Sequence, residues 1–128
     1  MATTYRQIMV EVDDKVGKLA EVTEKIKAAG VNILALCAWS AETSGHLMMI
    51  TDDPDKACEA VKPHVKNCRF GDVLCVKIAN RVGSLNELAG KLADAGVFIH
   101  FTYCSAGDAE ECTLILDTDD NAKAAEVI

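Results

Sequence analysis

Val16-Gly17-Lys18-Leu19, with Ala29-Gly30-Val31-Asn32-Ile33 after it, forms a pattern that occurs twice in this chain of 128 residues. The second copy reads Val82-Gly83-Ser84-Leu85 and then Ala95-Gly96-Val97-Phe98-Ile99, so that Gly17 has Gly83 as its counterpart 66 positions later. A long-period repeat with only two copies indicates a duplicated small domain.

A third landmark, Thr51-Asp52-Asp53, recurs as Thr118-Asp119-Asp120, but 67 positions later, so one residue has been inserted, most simply before Thr113. The aspartates at the ends of these triplets are good N-cap residues, and Pro54 suits the first turn of a helix. The landmark therefore predicts a second helix in each copy.

Hydrophobic periodicity supplies the other elements of the first copy. Apolar residues alternate over 8–12, which predicts a strand. They follow helical spacing over 19–29, and Gly30 ends this helix.

Residues 31–39 and 47–50 predict a hairpin. After the second helix, which Pro63 ends or kinks, residues 69–72 predict a short closing strand that runs on into the next unit.

The repeat predicts an α+β protein of two ferredoxin-like βαββαβ units, each an antiparallel sheet with both helices on one face. The first unit is expected over residues 1–72 and the second over 73–128. Because the second unit has no counterpart of residues 63–72, either its sheet lacks the last strand or the chain is a shortened version of a longer one.

The second predicted strand is apolar on both faces. Ile33 and Ala35 lie on one face, and Leu34 and Leu36 lie on the other. Strands of this kind are normally buried on both sides, so we expect sheet-to-sheet packing between units or chains.

Composition excludes several classes of function. A net charge of −7 and a pI of about 4.8 argue against nucleic-acid binding. No apolar run approaches the ~20 residues of a membrane span, and the N-terminus leads straight into a strand, so we expect a cytoplasmic protein without a signal peptide. Neither a C-x-x-C pair nor a histidine at ligand spacing occurs, which predicts no metal and no cofactor.

Two βαββαβ units, each with a V-G-x-L loop and an A-G-V-x-I helix exit, resemble ACT domains, which are small regulatory modules that bind amino acids in many metabolic enzymes. In amino-acid-binding members the loop reads N-x-P-G, and an asparagine from a G-V-N-I segment of a neighbouring domain completes the site. The resemblance therefore implies a binding role and an interface between units.

Carried over by position, the resemblance assigns the loop half of a site to the second copy and the strand half to the first. Asn80 and Gly83 keep the loop pattern, Asn32 keeps the strand pattern, and Val82 stands where the family has proline. The full set of expected ligand-binding residues is Asn80, Val82, Gly83, Ser84, Leu85, Asn32 and Ile33.

The converse pairing predicts a weaker second site made of Asp14, Gly17 and Phe98. Asparagine carries both donors and an acceptor, and glycine lets the backbone N–H approach a ligand. A helix N-terminus favours a carboxylate, whereas the charge of Asp14 repels it. Each time a first unit pairs with a second unit, we therefore expect one competent site, the one with Asn80 and Asn32, and not two.

The leading hypothesis is a non-catalytic sensor that binds a small amino acid between ACT units, forms a homodimer or higher homo-oligomer, and signals to a partner metabolic enzyme. The alternative is an assembly module that joins chains without a ligand. A third hypothesis is a small enzyme using Cys104, but His100 lies four strand positions away, ~13 Å at 3.3 Å per residue, too far for a direct pair.

Overall fold

The computed structural model describes residues 2–105 and 109–128, and in these ranges the chain forms strands and helices in the order predicted. The elements are β1 Ala2–Asp13, α1 Lys18–Ala28, β2 Ile33–Ala41, β3 Ser44–Thr51, α2 Pro54–Val61, a 3₁₀ turn Lys62–His64, β4 Asn67–Ala79, α3 Ser84–Asp94, β5 Ile99–Cys104, β6 Glu111–Thr118 and α4 Asn121–Val127. The prediction of an α+β fold is confirmed.

The chain divides into two compact units, one of which is Arg6–Gly71 and is called the first unit below. Its strand order is β2-β3-β1-β4, with antiparallel pairing of β1 and β2 to β3. Both helices pack on one face of this sheet, where the core consists of Ile8, Val10, Val12, Val22, Ile26, Val31, Leu47, Met49, Ala57, Cys58 and Val61.

The second unit consists of residues 2–5 together with the described residues from Asp72 to Ile128. Its strand order is β1-β4-β6-β5, and β6 pairs antiparallel with both β4 and β5. Its helices α3 and α4 again cover one face, and the core consists of Leu74, Val76, Leu88, Leu92, Val97, Leu114, Leu116 and Ala124.

The N-terminal residues give the second unit its outer strand. In the described part of the chain no strand follows α4, as predicted, but residues 2–5 of β1 lie beside β4, and Ala2 packs against the second core. From the sequence pattern this strand is expected to begin only at Ile8. Thr3, Thr4 and Tyr5 favour strands, but they lack the alternation that identifies a buried one.

The strand β4 joins the two copies. A short closing strand over 69–72 that runs on into the next unit was expected, and one continuous strand from Asn67 to Ala79 is found. Within this strand Gly71 makes room for a neighbour, because a Cβ at Gly71 would lie 2.9 Å from Cε of Met9.

Local capping explains where the helices begin and end. Asp53 accepts a hydrogen bond from the Lys56 N–H at 3.1 Å, and Asp120 accepts one from the Lys123 N–H at 3.0 Å, as predicted for both N-caps. Gly30 takes a φ of 74°, which confirms its place as the residue that ends α1.

Two leucines predicted on the core faces of the helices are instead exposed. Leu19 keeps 46% and Leu85 keeps 49% of its surface accessible. The buried residues of each helix begin one turn later, at Val22 in α1 and Leu88 in α3. Each leucine stands in the first helical turn, directly after its glycine loop, where the core has not yet begun.

One face of the edge strand β2 is exposed in the single chain. Leu34 is 55% and Leu36 is 38% accessible, and Phe98, just before the other edge strand β5, is 65% accessible. Apolar side chains grouped in this way are typical of an interface. Packing against another sheet therefore stays a prediction. Along the described residues, no helix has the length and apolar character needed to cross a membrane.

Candidate functional site

Two glycines shape the loops that were predicted to bind a ligand. Gly17, before α1, has φ 91° and ψ −2°, and Gly83, before α3, has φ 92° and ψ −11°. This left-handed backbone strongly favours glycine because other L-residues are strained there. The identical geometry of the two loops follows from the repeat.

The helices after these loops begin without a side-chain cap. Neither Gly17 nor Gly83 can supply one, and the first intrahelical bonds run from Glu21 N and Glu87 N to the carbonyls of these glycines, at 2.9 Å each. A helix start leaves its first N–H groups without intrahelical acceptors, and the macrodipole favours an anion there. In α1 and α3 the first helical N–H donates to a loop carbonyl, from Lys18 to Lys15 at 3.4 Å and from Ser84 to Arg81 at 3.3 Å. The third helical N–H, which an aspartate caps in α2 and α4, has no side-chain cap in α1 or α3.

The exposed valines next to the glycines keep both loops open to solvent. Val16 and Val82, which stand at the family's proline position, are essentially fully accessible. Each lies close in sequence to an exposed leucine, Leu19 or Leu85. The predicted site residues Val82 and Leu85 are thus exposed apolar residues at the start of α3.

The side chain of Asn80 supports its own unit. Its Nδ2 donates to the carbonyl of Ala109 at 2.9 Å, and its backbone N–H donates to the carbonyl of Glu110 at 2.8 Å. In the first loop, Asp14 accepts a hydrogen bond from Ser40 Oγ at 2.6 Å. Both side chains therefore tie the glycine loop to the adjacent hairpin, a structural role in addition to the predicted one.

Asn32 has a free amide side chain in the segment between α1 and β2. Its backbone N–H donates to Asp52 Oδ1 at 3.0 Å, and its carbonyl accepts from the Asp52 N–H at 3.1 Å, whereas its side chain has no hydrogen-bond partner among the described residues. Asn32 and Ile33 line an open groove of about 450 Å³. This volume falls within the ~300–1,000 Å³ of small-molecule clefts.

Residues that the sequence analysis missed also line this groove. Thr23 and Lys27, one turn apart on α1, face it together with Gly30. Their spacing of four residues places them on one helical face, and that was the available signal. At the counterpart of Asn32, Phe98 keeps the backbone bonds, to Asp119, but presents a ring that packs edge-on against His100.

The predicted site residues therefore fall into two groups, each described within its own unit. Asn32 and Ile33 lie in the first unit, at the groove, and the residues from Asn80 to Leu85 form the loop and first turn of α3 in the second. Ser84 differs from its neighbours because it is buried, and its Oγ has no hydrogen-bond partner among the described residues.

The cysteine hypothesis gains no geometric support from the described residues. Cys104 is exposed, and His100 Nδ1 lies 3.0 Å from Asp117 Oδ2. Burial raises the pKa of the Cys68 and Cys75 thiols, so both stay protonated at neutral pH. Within 2–105 and 109–128, no cluster of three or more His, Cys, Asp or Glu side chains is placed to hold a metal ion.

Comparison with known families identifies the class of this protein. A family model described as an ACT domain pair matches residues 3–128. The chain therefore belongs to the ACT domain pair family, which confirms the resemblance drawn from the repeated loops and helix exits.

Solved structures agree with this assignment. A crystal structure of a Bacteroides thetaiotaomicron protein is 31% identical, with a TM-score of 0.90 over 98% of this chain and 87% of that one. The ligand-free regulatory subunit of aspartate kinase from Thermus thermophilus is 17% identical, with a TM-score of 0.72 over 96% and 89%.

Aspartate kinase from Clostridium acetobutylicum, an allosteric enzyme, is likewise 17% identical, with a TM-score of 0.61 over 99% of this chain and 33% of that one. At 17% identity these two kinase structures establish similarity of fold alone. No curated protein matches the chain.

Proposed function

We propose that this ACT domain pair is a non-catalytic regulatory module that binds a small amino acid. The observation that carries the proposal is the difference in capping among the four helices. At α2 and α4 an aspartate side chain caps a first-turn N–H group. At α1 and α3 the helix begins at a left-handed glycine with no side-chain cap. Leaving N–H donors open at a solvent-exposed loop favours an anionic group such as an α-carboxylate.

The two loops differ in charge, and this difference favours the loop before α3. Asp14 places a carboxylate beside the start of α1, where it repels the carboxylate of a ligand, whereas the second loop has the neutral Asn80 at that position. The free amide of Asn32 supplies both donors and an acceptor for the remaining polar group of the ligand. The proposal keeps the sequence prediction that loop and strand halves come from different ACT units.

The partner we propose is an enzyme of amino-acid metabolism, and the similarity of fold to regulatory subunits of aspartate kinase supports this class of partner. A ligand transmits a signal only if it binds one arrangement of the protein more tightly than another. The exposed apolar residues of β2 support a homo-oligomer as the form that responds to the ligand. We also propose the cytoplasmic location that the sequence leads us to expect.

The proposal is tested by calorimetric titration of the protein with each common amino acid. We expect saturable binding of one of them, and Asn32→Ala should weaken it about tenfold or more, the scale of one hydrogen bond to a charged group. Glu59→Ala, at an exposed position of α2 away from both loops, is the matched control and should bind like the original protein. Absence of binding by any amino acid to folded protein contradicts the proposal.

Ligand-free assembly is the second candidate, and the exposed face of β2 favours it. Light scattering of Leu34→Glu and Leu36→Glu tests it: an interface through this face predicts dissociation of an oligomer, because burying a carboxylate there is costly. Lys56→Glu, exposed on α2, is the control. Dissociation without any amino-acid binding by the original protein favours the assembly module.

A further inference from the structure

The open groove of the first unit combines an apolar surface with polar side chains. The buried residues Ile26 and Val31 line its apolar part, and Thr23, Lys27 and Asn32 line it as well. The proposed function uses only Asn32 of these polar residues. The two that lie on α1 therefore still need an explanation.

The second unit shows that the fold itself does not require these polar residues. Each of them has an apolar counterpart 66 positions later, and the pairs are Thr23 and Ala89, Lys27 and Ala93, and Asn32 and Phe98. The helices α1 and α3 nevertheless have the same length of 11 residues, and each is followed by a left-handed glycine, Gly30 or Gly96. The polar lining is therefore a property of the first unit alone.

The helix dipole does not account for Lys27. A cation in the last turn stabilises a helix, and α1 has two, Lys25 and Lys27. In α3, all of whose residues are described, the last turn has one lysine, Lys91, which is the counterpart of Lys25. Lys25 therefore fills in α1 the role that Lys91 fills in α3, and Lys27 is an additional cation that faces the groove.

The ammonium of Lys27 is held only weakly by its own helix. Its Nζ lies 3.9 Å from Glu24 Oε2, and the two side chains are 81% and 60% accessible. An ion pair that is this long and this exposed contributes little to stability. The ammonium can therefore turn to another carboxylate at small cost.

Lys27 also differs from the other polar residues of the groove. The Thr23 hydroxyl donates to the carbonyl of Leu19 at 2.8 Å, so its proton is used within α1. Asn32 is neutral, and its backbone N–H donates to Asp52 Oδ1 at 3.0 Å, which places a negative charge beside it. Among the described residues that line the groove, Lys27 alone is charged. The surroundings of Asn32 thus favour the ammonium of an amino acid, and Lys27 favours a carboxylate.

We propose that Lys27 makes this site selective for an amino acid with an acidic side chain, whose side-chain carboxylate it binds in the groove. The inference rests on the proposed function, which assigns the α-carboxylate to the start of α3 and the remaining polar group to Asn32. A basic side chain is repelled by Lys27, and a neutral one gains no ion pair. The ligand class is therefore that of L-aspartate and L-glutamate.

The test is calorimetric titration of the protein with L-aspartate, L-glutamate, their amides L-asparagine and L-glutamine, and L-lysine. We expect one of the two acids to bind at least about threefold more tightly than its amide, the scale of a partly exposed ion pair, and L-lysine to bind more weakly still. Lys27→Gln should weaken the acid to the level of its amide, whereas Lys27→Arg should keep the preference.

Lys25→Gln is the matched control, because it removes the same charge from the same helix outside the groove, and it should bind like the original protein. Circular dichroism checks that each variant is folded. An acid-over-amide preference that persists in folded Lys27→Gln overturns the role of Lys27.

The other outcomes separate this inference from the proposed function. Tighter binding of a neutral or basic amino acid, weakened by Asn32→Ala but not by Lys27→Gln, overturns the acidic ligand and leaves the proposed function standing. Equal weakening of an acid and its amide by Lys27→Gln assigns the α-carboxylate to Lys27 and also overturns the inference. If no common amino acid binds to folded protein, the proposed function fails, and this inference fails with it.

Discussion

Single glycines determine the shape of both candidate loops. Gly83 holds a φ of 92° with no heavy atom within 4 Å of the position of a Cβ, so conformation rather than space requires glycine. Gly90, inside α3, also has room for a Cβ but no positive φ. The two residues belong to one helix and its loop, so they form a matched pair.

Gly83→Ala is expected to lower the free energy of unfolding by about 1–3 kcal/mol, because alanine is strained at this backbone conformation. Gly90→Ala is expected to raise it by about 0.5–1 kcal/mol, the gain in helix propensity. Urea unfolding monitored by circular dichroism measures both. Equal stabilisation by the two substitutions would contradict the role assigned to the loop.

Glu11 links the stability of the first unit to pH. Hydrogen bonds from Ser44 Oγ at 2.7 Å and Asn67 Nδ2 at 3.0 Å lower the pKa of the carboxyl below its ordinary value of 4.5. A lowered pKa in the folded state means that the stabilisation is present above about pH 4.5 and is lost as pH falls through the folded value.

Glu11→Gln should therefore reduce the loss of stability on acidification below pH 4.5, since the carboxylate that must be protonated is gone. Thermal unfolding across this range measures the effect. Glu59→Gln, exposed on α2, is the control and should keep the slope of the original protein. A slope unchanged by Glu11→Gln would show that the two hydrogen bonds do not lower the pKa.

At the scale of elements, the helices of this chain are of two kinds. The helices α2 and α4 are capped by aspartates with bonds of 3.1 and 3.0 Å, and α1 and α3 begin at bare glycine loops. Caps are read directly from the sequence because they depend on a residue and the three that follow it.

Asp53→Ala and Asp120→Ala should each lower the free energy of unfolding by about 1 kcal/mol, because each leaves a first-turn N–H unsatisfied. Asp94→Ala, at the C-terminal end of α3, is the control, since a carboxylate there gains nothing from the helix dipole. Chemical denaturation measures all three variants. A loss for Asp94→Ala as large as for the other two would contradict the assignment of the caps.

At the scale of the whole molecule, the notable feature is the source of the second unit's outer strand. Residues 2–5 belong to the second unit although Arg6 and the rest of β1 belong to the first. The first unit instead closes its own sheet with the start of β4, as far as Gly71. The duplicated sequence therefore does not yield two units with identical connections.

Deletion of residues 2–5 should destabilise the second unit, because it removes a strand beside β4 and the packing of Ala2 on the core. Hydrogen exchange should become faster at Val73, Leu74 and Val76. Thr3→Ala combined with Thr4→Ala keeps the strand backbone and is the control. Unchanged protection of β4 after the deletion would show that these residues do not support the unit.

The sequence by itself determined the features that depend on local pattern. The order of strands and helices, the caps at Asp53 and Asp120 and the end of α1 at Gly30 follow from residues close together in the chain, and the repeat follows from comparing its two halves. Only backbone sterics, helical periodicity and N-cap hydrogen bonds are needed to derive them.

Tertiary structure decided what depends on residues far apart. Residues 2–5 lack a buried pattern of their own, so only their pairing beside β4 revealed the outer strand of the second unit. The structural bonds of Asn80, the free amide of Asn32 and the unpaired hydroxyl of Ser84 were likewise invisible. The physical reason is that hydrogen-bond satisfaction and burial are set by neighbours brought together only when the chain folds.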